Sequence, residues 1–430
     1  MGGVRRVLGE EPGVTDVLVV GGGAAGLSAA LFAARAGARV TLLERNEKLG
    51  KKIYITGKGR CNVTNTAERE DFMKQIVRNP RFLYAALSHL GSRDLMALLE
   101  ALGVPLKEER GGRVFPVSDR ASDVTRALER EILRLGATVR LNARAHELLL
   151  EDGAAAGVRL ESGEEVRARA VIVATGGLSY PSTGSTGDGY RLAEAAGLAL
   201  SPTRATLTPI ETIEDWPGAL SGLTLKNVRL GALNGKKKLF AEQGELLFTH
   251  FGLSGPLALS LSSALPDDCA GQRLTIDLKP ALDEQTLDRR LVRDLTEMSR
   301  KQLITVMDAL APHNLALTLL NLAGLSPAQP AHSVTQAQRA ALVKLIKAVP
   351  LTVKGLRGYL EAVVTRGGVD VKGINASTME AKAMPHLYFA GEVLDVDALT
   401  GGFNLQIAFS TGALAGASAG HSRSAATVRE

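Results

Sequence analysis

Three glycine-rich corners carry the residues whose types and spacing can do chemistry. The first is Gly21-x-Gly23-x-x-Gly26. In a strand-to-helix turn, the first glycine permits the tight turn and the second lets the backbone approach a pyrophosphate. The third lets helix and strand pack closely. Ala24 and Ala25 then open a helix, whose unpaired N–H groups and positive dipole end suit phosphates. Glu44, roughly 20 residues further on, can accept hydrogen bonds from a ribose 2′-OH, and its charge argues against a 2′-phosphate. Arg45 follows it. The second corner is Ala174-Thr175-Gly176-Gly177. The third runs from Gly391-Glu392 to Gly401-Gly402-Phe-Asn404-Leu405-Gln406, just ahead of an apolar helix. A helix N-terminus placed there can face a ring edge on which negative charge develops during reduction.

Ionisable groups stand around these corners. Residues 46–65 form a basic, glycine-rich loop. In it Lys51, Lys52, Lys58 and Arg60 could neutralise a pyrophosphate or an anionic substrate, or simply form a solvated face. Cys61, between Arg60 and Asn62, could act as a general acid beside a redox cofactor. A small buried packing residue is its simpler use. His250, ahead of a Gly-x-x-Gly-Pro turn, could donate a proton or brace that turn by hydrogen bonding. Asp395 and Asp397 could bind cofactor hydroxyls or shape their loop.

The elements that must position these groups begin with an apolar strand, Val17–Val20. An Ala-rich helix follows to about Ala36, ended by Gly37, and then a second strand, Arg39–Leu43. Residues 68–103 read as helices broken near Pro80 and Gly91, Arg113–Pro116 as a strand, and Ser122–Leu135 as a helix. A meander follows at 138–141, 144–151, 156–161 and 165–169. The apolar run from Ala170 reads as a further buried parallel strand. From Ser201 the pattern changes to short β runs at Arg204–Ile210, Thr224–Leu233, Lys236–Phe240 and Glu245–Thr249, with a hairpin turn at Asn234-Gly235. Gln272–Leu278 reads as a strand and 283–347 as helical. Thr365–Val371 is turn-rich, and His386–Ala390 reads as a strand. Phe403–Ala419 reads as a closing helix and Gly420–Glu430 as a disordered tail.

Composition sets bounds. A chain of 430 residues, 45% hydrophobic and 22% charged, holds two or three globular domains. No apolar run reaches the ~18 residues of a membrane span, and no signal sequence is read at the N-terminus. The two cysteines, Cys61 and Cys269, form neither a disulfide framework nor a metal cluster, which fits the cytoplasm. A net charge of +6 suits a solvated basic surface or an anionic partner. Basic residues recur at Lys236–Lys238 and at Arg289, Arg290, Arg293, Arg300 and Lys301. Asp288, Asp294 and Glu297 are interleaved there, so ion pairing on a solvated face competes with RNA docking.

One fingerprint serves NAD or FAD. The Ala174–Gly177 strand end and the Leu387–Glu392 segment resemble their counterparts in two-dinucleotide-type flavoproteins, which favours FAD; Glu392 stands where such proteins usually carry Asp. Longer signatures are more specific. They are Thr56-Gly-Lys-Gly-Arg-Cys-Asn-Val-Thr-Asn65, the run 249–256, and Gly391-Glu-Val-Leu-Asp-Val-Asp-Ala-Leu-Thr-Gly-Gly-Phe-Asn404. The chain resembles the BaiN/RdsA-like, or aminoacetone-oxidase-like, family of FAD-dependent flavoproteins from about Asp16 to Gly416. That resemblance implies an α/β, two-dinucleotide-type FAD-binding Rossmann-like domain interrupted by a β-barrel-like domain with a helical subdomain. The corresponding boundaries are 1–200 with 365–430 for FAD binding, 201–280 with 348–364 for the β-rich insert, and 281–347 for the helices. The Gly184–Tyr190 segment also resembles fumarate-reductase-type flavoproteins, without their arginine- and histidine-lined dicarboxylate site.

The activities linked to the family name are amine oxidation, reduction of a steroid double bond, and reduction of uridine in ribosomal RNA. The expected function is therefore FAD-dependent reduction of a C=C bond, with uridine in ribosomal RNA the more specific substrate. No second glycine fingerprint appears, so NAD(P)H would dock transiently as reductant. The alternatives are oxygen-dependent oxidation of a small amine or metabolite, and a flavin-bearing binding protein without turnover.

Overall fold

The computed structural model describes residues 4–5, 15–234 and 237–427. The chain divides into two compact units, Met1–Thr206 with Ala362–Glu430, and Leu207–Glu361.

The first unit is built on a sheet whose central strand is Thr15–Val20. Five of its six residues are buried, as a parallel strand covered on both faces requires. Val40–Leu43 pairs with it in parallel on one side and Thr138–Arg140 lies beyond. On the other side lies Glu165–Val173, followed by Leu387–Phe389, both parallel. Chain order thus reverses at Thr15–Val20, the switch point at which such sheets place their ligands. Helices Ala24–Arg35 and Ala121–Arg134 make the crossovers. The closing helix, Phe403–Thr427, crosses the first helix closely. A Cβ on Gly412 would stand 2.2 Å from the Ala25 carbonyl oxygen, and one on Gly416 2.2 Å from that of Ala29. The closing helix also continues past Gly420 to Thr427, where the sequence reads as a disordered tail; residues 428–430 lie outside the described residues.

Several elements differ from the sequence reading for identifiable reasons. The runs 165–169 and 170–173 are one strand, Glu165–Val173. Its first part alternates, with Glu165, Arg167 and Arg169 exposed, because it pairs antiparallel with Ala154–Leu160. Its second part is continuously buried, because it pairs in parallel on both sides. The change of environment looks like a strand boundary. Leu106–Glu109, too polar to stand out, is a strand held by a hairpin to Arg113–Pro116. The turn-rich segment after Ala362 is the strand Val364–Val369, antiparallel to Leu200–Thr206. Arg204–Ile210 is not one strand: Leu200–Thr206 belongs to the first unit and Ile210–Thr212 to the second.

The second unit is a closed six-stranded barrel with attached helices. The order is Ile210–Thr212, Gly252–Ser254, Lys237–Thr249, Thr224–Asn234, Arg273–Asp277 and Val349–Leu356, which returns to the first. The runs read at Lys236–Phe240 and Glu245–Thr249 fall on one long strand, Lys237–Thr249, with Lys236 outside the described residues. The expected turn at Asn234-Gly235 falls partly outside the described residues. Val228, Leu230 and Ala232 point inward with exposed residues between them, the alternation a barrel demands. Leu274, Ile276, Leu351 and Val353 share one apolar cluster with Leu287, Leu291, Val306, Leu319 and Leu342 from helices Glu284–Glu297, Leu303–Asp308, His313–Leu322 and Gln336–Lys347. The barrel and the helices thus share a single core. No helix among the described residues is long and apolar enough to cross a membrane.

Candidate functional site

The first unit gathers the three glycine corners at the carboxyl ends of its central strands. Gly21 has a φ of +104°, and its N–H donates to the Leu43 carbonyl at 2.8 Å. Gly23 caps the first helix in extended conformation, with no side-chain cap. Ala24 and Ala25 form its first turn, where the N–H groups have no intrahelical acceptor. A Cβ on Gly26 would stand 1.7 Å from the Gly21 carbonyl oxygen; one on Gly23 would meet nothing within 4 Å. Gly26 is therefore a packing requirement of this turn, while Gly23 keeps its outer side clear. Gly391 belongs to the same corner: a Cβ there would meet the Ala25 Cβ at 2.7 Å.

Glu44 is 7% exposed. One carboxylate oxygen accepts the Gly22 N–H at 2.8 Å, and the other accepts the Asn46 N–H at 2.8 Å and its Nδ2 at 2.7 Å. Three donors converge on it and hold the carboxylate beside the glycine loop. Asn46, which the motif reading missed, is the residue that orients it.

The neighbouring cations are engaged within the protein. Arg45 donates to Asp188 at 2.9 Å and to the Thr186 hydroxyl. Arg144 adds bonds of 2.8 and 3.0 Å to the same carboxylate. Burial raises the Asp188 carboxyl, but hydrogen bonding and charge from Arg144, then Arg45 and Arg191, hold it below its ordinary value. Its stabilising contribution is therefore complete above about pH 4 and lost as pH falls through the depressed value. Asp188→Asn is expected to lower thermal stability at pH 7, with the gap to wild type closing as the pH is taken to 3.

Lys51 pairs with Glu47 at 2.9 Å. Lys52 reaches Glu392 and the Ser179 hydroxyl, both at 2.6 Å. Glu392 also accepts from Ser179 Oγ at 2.6 Å and the Thr365 N–H at 2.8 Å. The extra methylene of Glu392 relative to Asp thus joins the lysine loop, the Ala174–Gly177 corner and the strand Val364–Val369. Arg60 is held by Glu109 at 2.7 Å and lies over the Phe115 ring at 4.1 Å, bracing the hairpin. Asp395 is held by Arg78 at 2.8 Å. Gln406 is fully buried, accepting from the Thr64 hydroxyl at 2.6 Å and donating to the Leu90 carbonyl at 2.9 Å. Asn404 closes the preceding loop onto Ala398, with bonds of 2.9 and 2.8 Å. Arg60, Asp395, Asn404 and Gln406 thus act as struts, each with its polar groups turned to the protein. Leu405 lies partly buried beside them, packed against the core.

Cys61 has a φ of +64° and is 0% exposed. Burial pushes its thiol up to about 12, despite a hydrogen bond with Thr56. Its sulfur offers no accessible face, so the packing use of Cys61 fits the geometry and the acid role does not. Neither cysteine is in a disulfide and both are buried, and Ellman's reagent is expected to label neither in the native protein and both after denaturation. His250 is in the second unit, exposed, with its ring edge-on to Phe251 at 4.9 Å.

Among the described residues of the first unit, the buried atoms Asn62 Oδ1 and Thr175 Oγ1 have no hydrogen-bond partner in the protein. Asn62 Oδ1 lies 2.9 Å from where a Cβ on Gly402 would stand, at the entrance to the closing helix. Thr175 follows Ala174, whose N–H bonds the Val20 carbonyl at 2.8 Å, and precedes Gly176, with a φ of +74°. An unsatisfied buried polar atom costs about 1–3 kcal/mol, so both atoms fit contact with a bound polar group. These two atoms, the clear side of Gly23, the free helix N–H groups, the Glu44 carboxylate and the glycines at 401 and 402 fit a flavin dinucleotide.

The family model described as "HI0933-like protein Rossmann domain" matches residues 15–418. The chain is 32% identical over 406 residues to the 3-dehydro-bile acid delta(4,6)-reductase of Clostridium scindens, covering 93% of this chain and 98% of that protein. It is 33% identical over 401 residues to the ribosomal RNA dihydrouridine synthase of Escherichia coli, covering 92% and 96%. Among solved structures, the 3-ketosteroid-delta4-(5alpha)-dehydrogenase from Rhodococcus jostii superposes with a TM-score of 0.51 at 18% identity, covering 96% of this chain and 98% of that one.

Proposed function

The chain belongs to the HI0933-like family and is an FAD-dependent oxidoreductase, and from that premise we propose that it reduces uridine to dihydrouridine in ribosomal RNA, with NAD(P)H as the electron source. The observation that carries this reading is end-to-end correspondence with a ribosomal RNA dihydrouridine synthase, 33% identical over 92% of this chain. The bile-acid relative is named as a reductase of ring double bonds, so both relatives are consistent with reduction of a C=C bond. The basic net charge of +6 suits an RNA substrate.

Bound FAD supplies hydride transfer. The work left to this chain is to hold the dinucleotide, place the base and provide a proton. In this reading Gly21, Gly23, Ala24, Ala25 and Gly26 receive the pyrophosphate, Glu44 the ribose, and Asn62, Thr175, Gly176, Gly401 and Gly402 the remainder of the cofactor. Saturating the uridine C5=C6 bond requires a hydride at one carbon and a proton at the other. His250 is the proposed proton donor. His250→Asn is expected to lower the rate of dihydrouridine formation about 10²–10⁴-fold with flavin content unchanged.

The direct test is nucleoside mass spectrometry of ribosomal RNA from a strain lacking the gene, beside its parent. Loss of dihydrouridine, restored by the intact gene and not by a Gly23→Trp version, supports the reading. An unchanged profile, in an organism whose parent carries the modification, rejects it.

A further inference from the structure

The second unit carries a hollow of about 470 Å³ lined by Leu282, Thr286, Arg289, Arg290 and Arg293. Three guanidinium groups and no carboxylate line it. All three arginines lie on the helix Glu284–Glu297, and Arg289 and Arg293, one turn apart, share a face. Arg293 pairs with Glu297 at 3.9 Å, and Arg290 and Arg293 both pair with Asp294, at 3.4 and 2.9 Å. That carboxylate is 7% exposed while Arg293 is 62% exposed. It sets the arginines from beneath and leaves donors turned outward, since each guanidinium has five N–H groups. Arg289 donates to the Thr286 hydroxyl at 3.1 Å, with the Asp283 carboxylate near enough to feel its charge. Lys279 stands near Arg290 with no carboxylate paired to it among the described residues. Burial first, and the charge of Arg290 second, hold its ammonium below the ordinary value. Arg289, Arg290, Arg293 and Lys279 together outnumber the carboxylates named beside them, Asp283, Asp294 and Glu297.

The chemistry of the missing partner follows. Clustered guanidinium groups match phosphate oxygens. No aromatic side chain lines the hollow, so base stacking is not offered and recognition falls on a backbone. We propose that the arginine-lined face of the helix Glu284–Glu297 docks the phosphodiester backbone of the RNA substrate. The inference rests on the reading of the chain as an RNA-directed reductase, and gives that reading a surface remote in sequence from the flavin fingerprint.

The test uses the FAD-loaded, full-length protein and a fluorescein-labelled ribosomal RNA transcript, with anisotropy followed across a salt series. Arg289→Ala/Arg293→Ala is expected to bind about 10- to 100-fold more weakly and to lower the salt slope by about 1–2, as loss of two phosphate contacts requires. Flavin content and flavin reduction by NAD(P)H should stay at wild-type values, which also certifies the fold. Arg289→Lys/Arg293→Lys, which keeps both charges, should retain most of the affinity. If the wild type binds and reduces RNA while the alanine pair binds with unchanged affinity and slope, the docking face is wrong and the substrate reading stands. A rise in KM for NADPH with RNA binding intact would assign the patch to the reductant and overturn the proposal. Wild-type protein that neither binds RNA nor forms dihydrouridine in it overturns both.

Discussion

Replacing Gly23 with tryptophan is expected to yield a folded chain that purifies without flavin. At this position the backbone is extended, with φ −79° and ψ −168°, which any residue can adopt. A Cβ there meets no protein atom within 4 Å, so the indole projects away from the core. It projects over the start of the first helix, where N–H groups without intrahelical acceptors await a phosphate. Retained flavin should fall to background in the absorbance spectrum, with far-UV circular dichroism unchanged. Gly26 supplies the contrast. Its Cβ would lie 1.7 Å from the Gly21 carbonyl oxygen, and Gly26→Ala is expected to lose soluble protein as well as flavin. Flavin retained at wild-type occupancy by Gly23→Trp would remove the pyrophosphate from this turn.

Arg366→Ala carries the second large effect. Asp397 is 0% exposed and Arg366 13%. The guanidinium binds both carboxylate oxygens, at 2.8, 3.1 and 3.2 Å. Burial pushes the Asp397 carboxyl above its ordinary value against the pull of that arginine. Removing the cation leaves a buried carboxylate without its principal partner, at a cost of about 3–5 kcal/mol, a large share of the ~5–15 kcal/mol typical of a folded protein. The urea midpoint of the first unit should fall accordingly. Arg366→Met/Asp397→Leu should recover much of the loss, because apolar replacement of a buried ion pair is often close to neutral. A cost under ~1 kcal/mol for Arg366→Ala would show that the pair is not load-carrying for the loop it holds.

What could be read from the sequence was what local spacing encodes. The fingerprint Gly21–Gly26, the acidic residue Glu44 and the small-residue closing helix each have a pattern visible within a few turns of chain. What escaped was partnership across long separations. Nothing near Arg60 announces Glu109, and nothing near Lys52 announces Glu392 and Ser179. Basic residues in a glycine-rich loop read alike whether they meet phosphate or carboxylate. Cys61 beside an arginine left both an acid role and simple packing open, and only its burial decides the matter. The strand Glu165–Val173 was divided because its two parts have different neighbours, which is a tertiary fact. Arg366 went unnoticed in a glycine-rich stretch whose strand character comes from pairing with Leu200–Thr206.

The discontinuity of the first unit has a consequence for synthesis. A ribosome delivers the chain from its N-terminus at about 5–20 residues per second. The fingerprint turn and its helix emerge early, but their packing partner, Phe403–Thr427, follows more than 350 residues later. Leu207–Glu361, with a barrel and core of its own, is entirely translated before that helix exists. The nascent chain therefore carries an incomplete nucleotide cradle for most of its translation, with Ala25 and Ala29 still waiting for Gly412 and Gly416. Flavin capture in this sense waits until the insert has been translated. A truncation or a stalled ribosome short of the final helix leaves an apoprotein with an intact insert and an open seam along its first helix.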